Sequence, residues 1–295
     1  MEYYLQLIIN GLVVGSIYSL VALGFVIIFK ATKVVNFAQG ELVMVGAYVC
    51  FALTVQFQLP FLASFLLTLA FSIVLATAVE RLILRPLIGE PIISVIMVTI
   101  GLSVVLRGVT LWIFGAEPRS FPAAAVGGKV EIAGLNIEAV YLWSTGVAVI
   151  GMAAFAAFFK YSRLGLAMRA TAFNQQVAQS LGVSIQKIFV VSWAISALVS
   201  GVAGVVVGMV NGISPGLTLF GIKVFPAVIL GGLDSILGAA LGGIIIGVLE
   251  NLSDGVLKSL FNLQGLKEVA PFVFLVIILM VKPYGLFGTK DIERV

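Results

Sequence analysis

The chain is made of continuous apolar runs, several of them close to the ~20 residues that an α-helix needs to cross the hydrocarbon core of a bilayer. That feature removes most of fold space. Lipid offers no hydrogen-bond partners to the backbone, so a spanning segment must satisfy itself as a helix or close into a barrel. Barrel strands alternate polar and apolar residues, and these runs do not. Of 295 residues, 61% are apolar and 10% charged, and mean hydropathy is +1.20, against about 45–50% and 25% in soluble domains. The expected class is an all-α, polytopic membrane bundle.

Spans are expected near 5–29, 37–57, 60–80, 92–115, 138–159, 187–210, 217–231, 232–250 and 268–281. The segment 217–231 is short, carries Lys223 and Pro226, and ends in Gly231-Gly232, so it reads as broken or re-entrant. The expectation is therefore about eight full spans plus one broken segment, in a single transmembrane domain over residues 1–295. No Lys or Arg precedes Lys30, so the basic start of a signal peptide is missing and the first run reads as a retained span. Cys50, the single cysteine, allows no intramolecular disulfide and reads as a small core residue.

Charge placement gives an orientation. With the amino terminus outside, the inner side holds Lys30, Lys33, Arg81, Arg85, Lys160, Arg163, Arg169, Lys187, Lys282, Lys290 and Arg294. The outer side holds Arg119, Lys129, Lys258 and Lys267. Because basic residues concentrate in cytoplasmic loops, the amino terminus is expected outside and the carboxyl terminus in the cytoplasm.

One long polar, basic segment interrupts the pattern, from Tyr161 to Lys187. Its apolar residues Leu166, Ala170, Phe173, Val177 and Leu181 recur at helical spacing, opposite Arg169, Asn174, Gln175, Gln176, Gln179 and Ser180. Such a helix can lie along a membrane surface and offer hydrogen-bonding groups to something soluble; it can equally be a plain connector. Two smaller polar islands, Val34–Glu41 and Gly231–Ser235, each precede a helix rich in small residues, a weak internal repeat. Asn36, Gln39, Glu41 and Asp234 are placed to stabilise helix starts, Asn and Asp as caps and Glu41 through the helix dipole. The other reading is that these islands edge a translocation path.

Arg107 and Glu250, both costly in lipid, should face the bundle interior or an interface, and Arg107 can instead snorkel outward along its stem, which is favoured over a direct substrate contact. Arg81, Arg85 and Pro86 read as a cytoplasmic stop. Glycine pairs at four-residue spacing, Gly11/Gly15, Gly204/Gly208, Gly238/Gly242 and Gly243/Gly247, read as close helix contacts. The chain has no His and no cluster of carboxylates at metal-ligand spacing. The string Gly127-Gly128-Lys129-Val130 lacks the hydroxyl residue of a nucleotide-binding loop, so the chain is not expected to use ATP alone. Nothing points to catalysis. The outer loop from Gly115 to Glu138 is too small for a substrate-capturing domain, which would have to be a separate chain.

In order along the chain, NGLVVGSIYSLVALGF (10–25), VVNFAQGELVMVGAY (34–48), RLILRPL (81–87), YSRLGLAMRATAFNQQVAQSLGV (161–183), AVILGGLDSILGAALGGIIIGVLE (227–250) and KPYGLFG (282–288) resemble the permease subunits of bacterial importers for branched-chain amino acids, the LivH type, powered by ABC ATPases. The resemblance implies a non-catalytic, multi-pass inner-membrane subunit. Its implied partners are a second similar permease, two cytoplasmic ATPases that carry ATP and magnesium, and a periplasmic solute-binding protein; no cofactor is implied on this chain. It further implies that Arg169, Ala170, Asn174, Ala178 and Gly182 form a cytoplasmic coupling motif docked into the ATPase. Asn36, Gln39, Gly40, Glu41, Gly231, Gly232 and Asp234 are the candidate path residues. The chain departs from the family at Gln39, often His, and at Asp234, where Gly is frequent. These departures leave the substrate open among branched-chain amino acids, urea, short amides and organic acids. From the residues alone, two other classes compete: an ion-coupled secondary transporter with Glu41, Asp234 and Glu250 as ion sites, and a passive channel for small polar solutes.

Overall fold

A computed structural model describes residues 2–122, 128–132, 135–261 and 266–288. The elements run α1 (Glu2–Thr32), α2 (Gln39–Phe51), α3 (Phe61–Val79), α4 (Ile92–Phe114), β1 (Lys129–Ile132), β2 (Leu135–Glu138), α5 (Ala139–Tyr161), α6 (Arg163–Phe173), α7 (Gln175–Ser180), α8 (Ile185–Asn211), α9 (Leu219–Gly231), α10 (Ile236–Phe261) and α11 (Leu266–Val281). The all-helical expectation holds apart from one antiparallel hairpin, β1–β2, in which Lys129 pairs with Glu138. Seven of the described helices are long and apolar enough to cross a membrane, and two shorter apolar helices cover 215–231 and 268–281. The broken segment is thus where Pro226 and the Gly pair place it. The last run, expected as a full span, is a helix of 16 residues. The run expected to end at Glu250 continues to Phe261, which puts Glu250 inside α10.

The helices divide by what they face. In α1, α2 and α8 most of the apolar span is buried within the protein, whereas α3, α4 and α5 leave most of theirs outward, with Leu66, Val74, Val104, Trp112 and Ile150 all exposed. Lipid tails are as apolar as these side chains, so outward Leu and Val cost nothing there, and the helices are held by close packing. The tightest seam joins α1 to α10. A β-carbon at Gly15 would lie 2.7 Å from the Ile244 Cα, and one at Gly247 would overlap the Gly15 backbone. Gly11 and Gly15 therefore meet Gly243 and Gly247, and the glycine pairs are the two halves of one contact. A second seam sets Gly46 on Gly201 and Gly204 on Val43, joining α2 to α8.

Two of these helices start part-way through the bundle. Gln39, at the start of α2, fills the space a side chain at Gly24 would need. Gly24 lies eight residues, about 12 Å at 1.5 Å per residue, before the carboxyl end of α1. The start of α9 reaches the same level, because a β-carbon at Gly221 would lie 2.8 Å from the Cα of Gly40. Contacts of Gly231 with Gly238 and of Gly242 with Ala227 make α9 antiparallel to α10. So α2 and α9 point away from each other, and their amino-terminal ends meet at the Gly40–Gly221 crossing. The positive ends of both helix dipoles converge there, which fits a carboxylate, Glu41, buried in the first turn of α2.

Candidate functional site

The 161–187 segment does not form the single long helix that its periodicity predicts. It breaks at Asn174, whose extended backbone (φ −156°, ψ 112°) ends α6 and starts α7, with its Oδ1 accepting from the Val177 N–H at 3.0 Å. Asn174 favours this side-chain cap over a helical interior position. The Ser162 hydroxyl caps α6 in the same way, accepting from Gly165 N at 2.8 Å. Gly182 ends α7 at φ +85°, where its N–H donates to Gln179 O (2.9 Å) and that of Val183 to Ala178 O (3.0 Å). That pattern is a Schellman stop, for which Gly is the natural residue. Asn174 and Gly182 thus set backbone shape, Ala178 is buried, and Ala170 is half-buried. Arg169 is not on an outward polar face as its spacing suggested: its guanidinium lies 5.7 Å from the centre of the Phe159 ring. The residues that stand out are apolar. Phe173 is 95% exposed and Leu181 78%, with Tyr161, Leu166 and Val177 beside them and Gln175, Gln176 and Gln179 also exposed.

The candidate path residues separate into two places. Asn36 and Gln39 are both fully buried in a closed polar knot. Gln39 Nε2 donates to Ser200 Oγ at 2.7 Å, and its Oε1 accepts from Asn36 Nδ2 at 3.3 Å. The Ser196 hydroxyl lies 2.9 Å from the Gly24 carbonyl and 3.2 Å from Gln39 Oε1. Asn36 Oδ1 accepts from Ala38 N at 3.0 Å, so it does act as a turn-forming residue ahead of α2. Asn36 also borders a cavity of about 270 Å³ shared with Thr32, Glu90, Thr99 and Gln175. Gly40 and Glu41 are buried at the crossing with α9. Arg107 itself is exposed on α4, so in this chain it faces outward and not into the bundle.

The second place is the junction of α9 and α10. Gly231 and Gly232 are buried, and Gly232 takes φ +102° against Gly288. Ser235, not Asp234, caps α10, accepting from Gly238 N at 3.0 Å. Asp234 instead borders a cavity of about 450 Å³ together with Lys33 and Tyr284. The segment after α11 closes this end. Leu286 N donates to Leu230 O at 2.7 Å and Phe287 N to Gly231 O at 3.2 Å, satisfying the carbonyls that the end of α9 would leave orphaned.

A third polar site joins residues the sequence presents separately. Tyr18 donates to Glu250 Oε2 at 2.7 Å between α1 and α10, and Glu250 is 1% exposed. Both border a cavity of about 280 Å³ with Lys223, Asn211 and Ser214. Glu250 carries a sequence signal, the cost of an intramembrane carboxylate; Tyr18 carries none, and Lys223 reads only as a flaw in a short span.

The chain matches the family described as branched-chain amino acid transport system, permease component, over residues 7–281. It belongs to that family. The high-affinity branched-chain amino acid transport system permease protein BraD of Pseudomonas aeruginosa is 32% identical, over 99% of this chain and 98% of that one. LivH of Escherichia coli K12 is 31% identical with the same coverage, and a probable LivH of Methanocaldococcus jannaschii is 30% identical over 98% and 95%. Among solved structures, PsaBC from Streptococcus pneumoniae in complex with Fab aligns with a TM-score of 0.54 at 15% identity, covering 95% of this chain and 92% of that one. That likeness concerns the fold.

In this permease one ring links α6 to α1. Lys30 Nζ of α1 lies 4.6 Å from the centroid of Phe159, the same ring that Arg169 of α6 covers. Each such contact contributes about 0.5–2 kcal/mol. The link ties the loop to the helix that carries Tyr18.

Proposed function

We propose that this permease is the transmembrane subunit of an ABC importer that moves branched-chain amino acids across the inner membrane of a bacterium. ATP and magnesium reside on two cytoplasmic ATPase subunits. A second similar permease completes the conduit, and a periplasmic binding protein delivers the cargo. The single observation that carries this reading is family membership over nearly the whole chain. The amino terminus lies outside, as the weight of basic residues on the inner side supports, which puts α6 and α7 in the cytoplasm.

The exposed side chains of α6 and α7 supply the docking surface there. Phe173 and Leu181 are too exposed for a free loop in water, and an ATPase groove would cover them. Arg169 works on the inner side of the joint, passing the motion through Phe159 to Lys30 and α1. Ala170, Asn174, Ala178 and Gly182 fix the shape that fits the groove.

The test is uptake into proteoliposomes holding the permease with its ATPases and binding protein. Leucine uptake that needs ATP inside and the binding protein outside is expected. Uptake driven by a proton or sodium gradient without the ATPases would sink the reading in favour of a secondary transporter. Flux needing neither would favour a channel. Phe173→Asp with Leu181→Asp is expected to abolish co-purification of the ATPases while the permease still inserts. Retained ATPase with full uptake would remove this surface from the joint.

A further inference from the structure

The cavity between α1, α9 and α10 is lined by both polar and apolar side chains. Its walls bring a carboxylate, Glu250, and an ammonium, Lys223, to one space, with the hydroxyl of Ser214 and the amide of Asn211 beside them. Ile17, Leu217 and Phe220 supply an apolar wall. The volume of about 280 Å³ lies just below the roughly 300–1,000 Å³ of small-molecule sites, enough for an amino acid. Val14 to Tyr18 form the wall on α1, halfway along its 31 residues, so the cavity sits at the depth where transporters of broken-helix construction hold their cargo.

We propose that this cavity is the point at which the permease itself meets its cargo, an L-amino acid with an aliphatic side chain, recognised as a zwitterion. This rests on the amino-acid-import reading above and adds to it the residues that make the contact. The cargo ammonium faces Glu250, which also accepts from the Tyr18 hydroxyl. Its carboxylate faces Lys223 and the first turns of α9, and its side chain lies against Ile17, Leu217 and Phe220. Paired charges of both signs suit a dipolar solute, because a solute with a single charge leaves one of the two partners without its counterpart in a poorly solvated space.

Lys223 is already engaged. Its Nζ lies 3.5 Å from Glu268 on α11, and the Glu268 side chain is 71% exposed. The Lys223 side chain is 23% exposed, so the pair is open to solvent or lipid chiefly on its Glu268 side. A cargo carboxylate entering the cavity would replace Glu268 as the anion beside Lys223.

The test uses Ser214→Cys in a Cys50→Ala background, within the complex of permease, ATPases and binding protein, labelled with a maleimide. L-leucine at about twice its dissociation constant, roughly two-thirds occupancy, is expected to slow labelling about threefold. Neither 3-methylbutylamine, which lacks the carboxylate, nor 4-methylpentanoate, which lacks the ammonium, should protect. Lys223→Met and Glu250→Gln should each abolish protection by leucine; the Gln amide oxygen still accepts from Tyr18, which keeps the helix contact. A labelling rate indifferent to leucine, or protection by either singly charged analogue equal to that of leucine, would overturn the proposal. ATP-driven leucine uptake without protection overturns the cavity alone. Protection without ATP-driven uptake overturns the import reading and leaves the cavity standing.

Discussion

The knot around Gln39 and the cavity beside Glu250 are both polar places inside a greasy bundle, and they differ in what surrounds the central side chain. At Gln39 the side-chain amide bonds to Asn36 and Ser200 and lies within reach of the Ser196 hydroxyl, and of these residues Asn36 borders a cavity. Beside Glu250, charged and hydroxyl groups border open volume. Buried polar groups that are satisfied hold a packing arrangement in place. Groups that line a space are available to a solute. Polarity within a span therefore does not mark a path until the partners are known.

The contrast can be broken by substitutions at matched places. Gln39→Leu should have the largest effect. It leaves the buried Asn36 Nδ2 without its acceptor, while Ser200 still donates to the Ser196 carbonyl, at about 1–3 kcal/mol, and should lower the unfolding temperature of the purified permease by roughly 5 °C. Uptake per inserted molecule should stay near wild type. Unchanged stability with lost uptake would move Gln39 from the knot to the path. Ser214→Trp, which fills the cavity, should do the reverse: uptake falls on the order of tenfold, while stability stays within about 0.5 kcal/mol. Loss of stability comparable to that of Gln39→Leu would make the cavity a packing defect.

Asp234→Leu extends the comparison to the wider space shared with Lys33. Uptake should fall by about threefold, or some 0.7 kcal/mol, with the assembled complex recovered in full. Loss of the complex on gel filtration would assign Asp234 to structure. Ser200→Ala should be the mildest, costing about 1 kcal/mol in thermal unfolding and nothing in uptake. A larger transport defect would show that the two regions are coupled.

Hydropathy alone locates the spans, and Pro226 with the Gly231-Gly232 pair marks the broken one, because both signals are local. The break at Asn174 escapes the sequence: the apolar spacing runs on from Phe173 to Val177 unchanged, and only the side-chain cap interrupts the helix. The same spacing puts Arg169 on an outward face, and the aromatic ring that draws it in comes from α5. Glycine spacing reveals close contacts but not which pairs meet. The knot and the cavity depend on partners more than 150 residues apart, Gln39 with Ser200 and Tyr18 with Glu250, which no local pattern can disclose. Asp234 was expected to cap a helix that its neighbour caps instead, a choice between adjacent residues decided by backbone geometry.

The two backbone bonds from Leu286 and Phe287 to the end of α9 have a mechanical meaning. A half-helix anchored at only one end can slide along its axis; this one is stitched to the tail at its foot and pinned at Gly221 near its head. It can tilt as a lever about the glycine crossing, and a pull on the tail then swings the wall that Lys223 presents to the cavity.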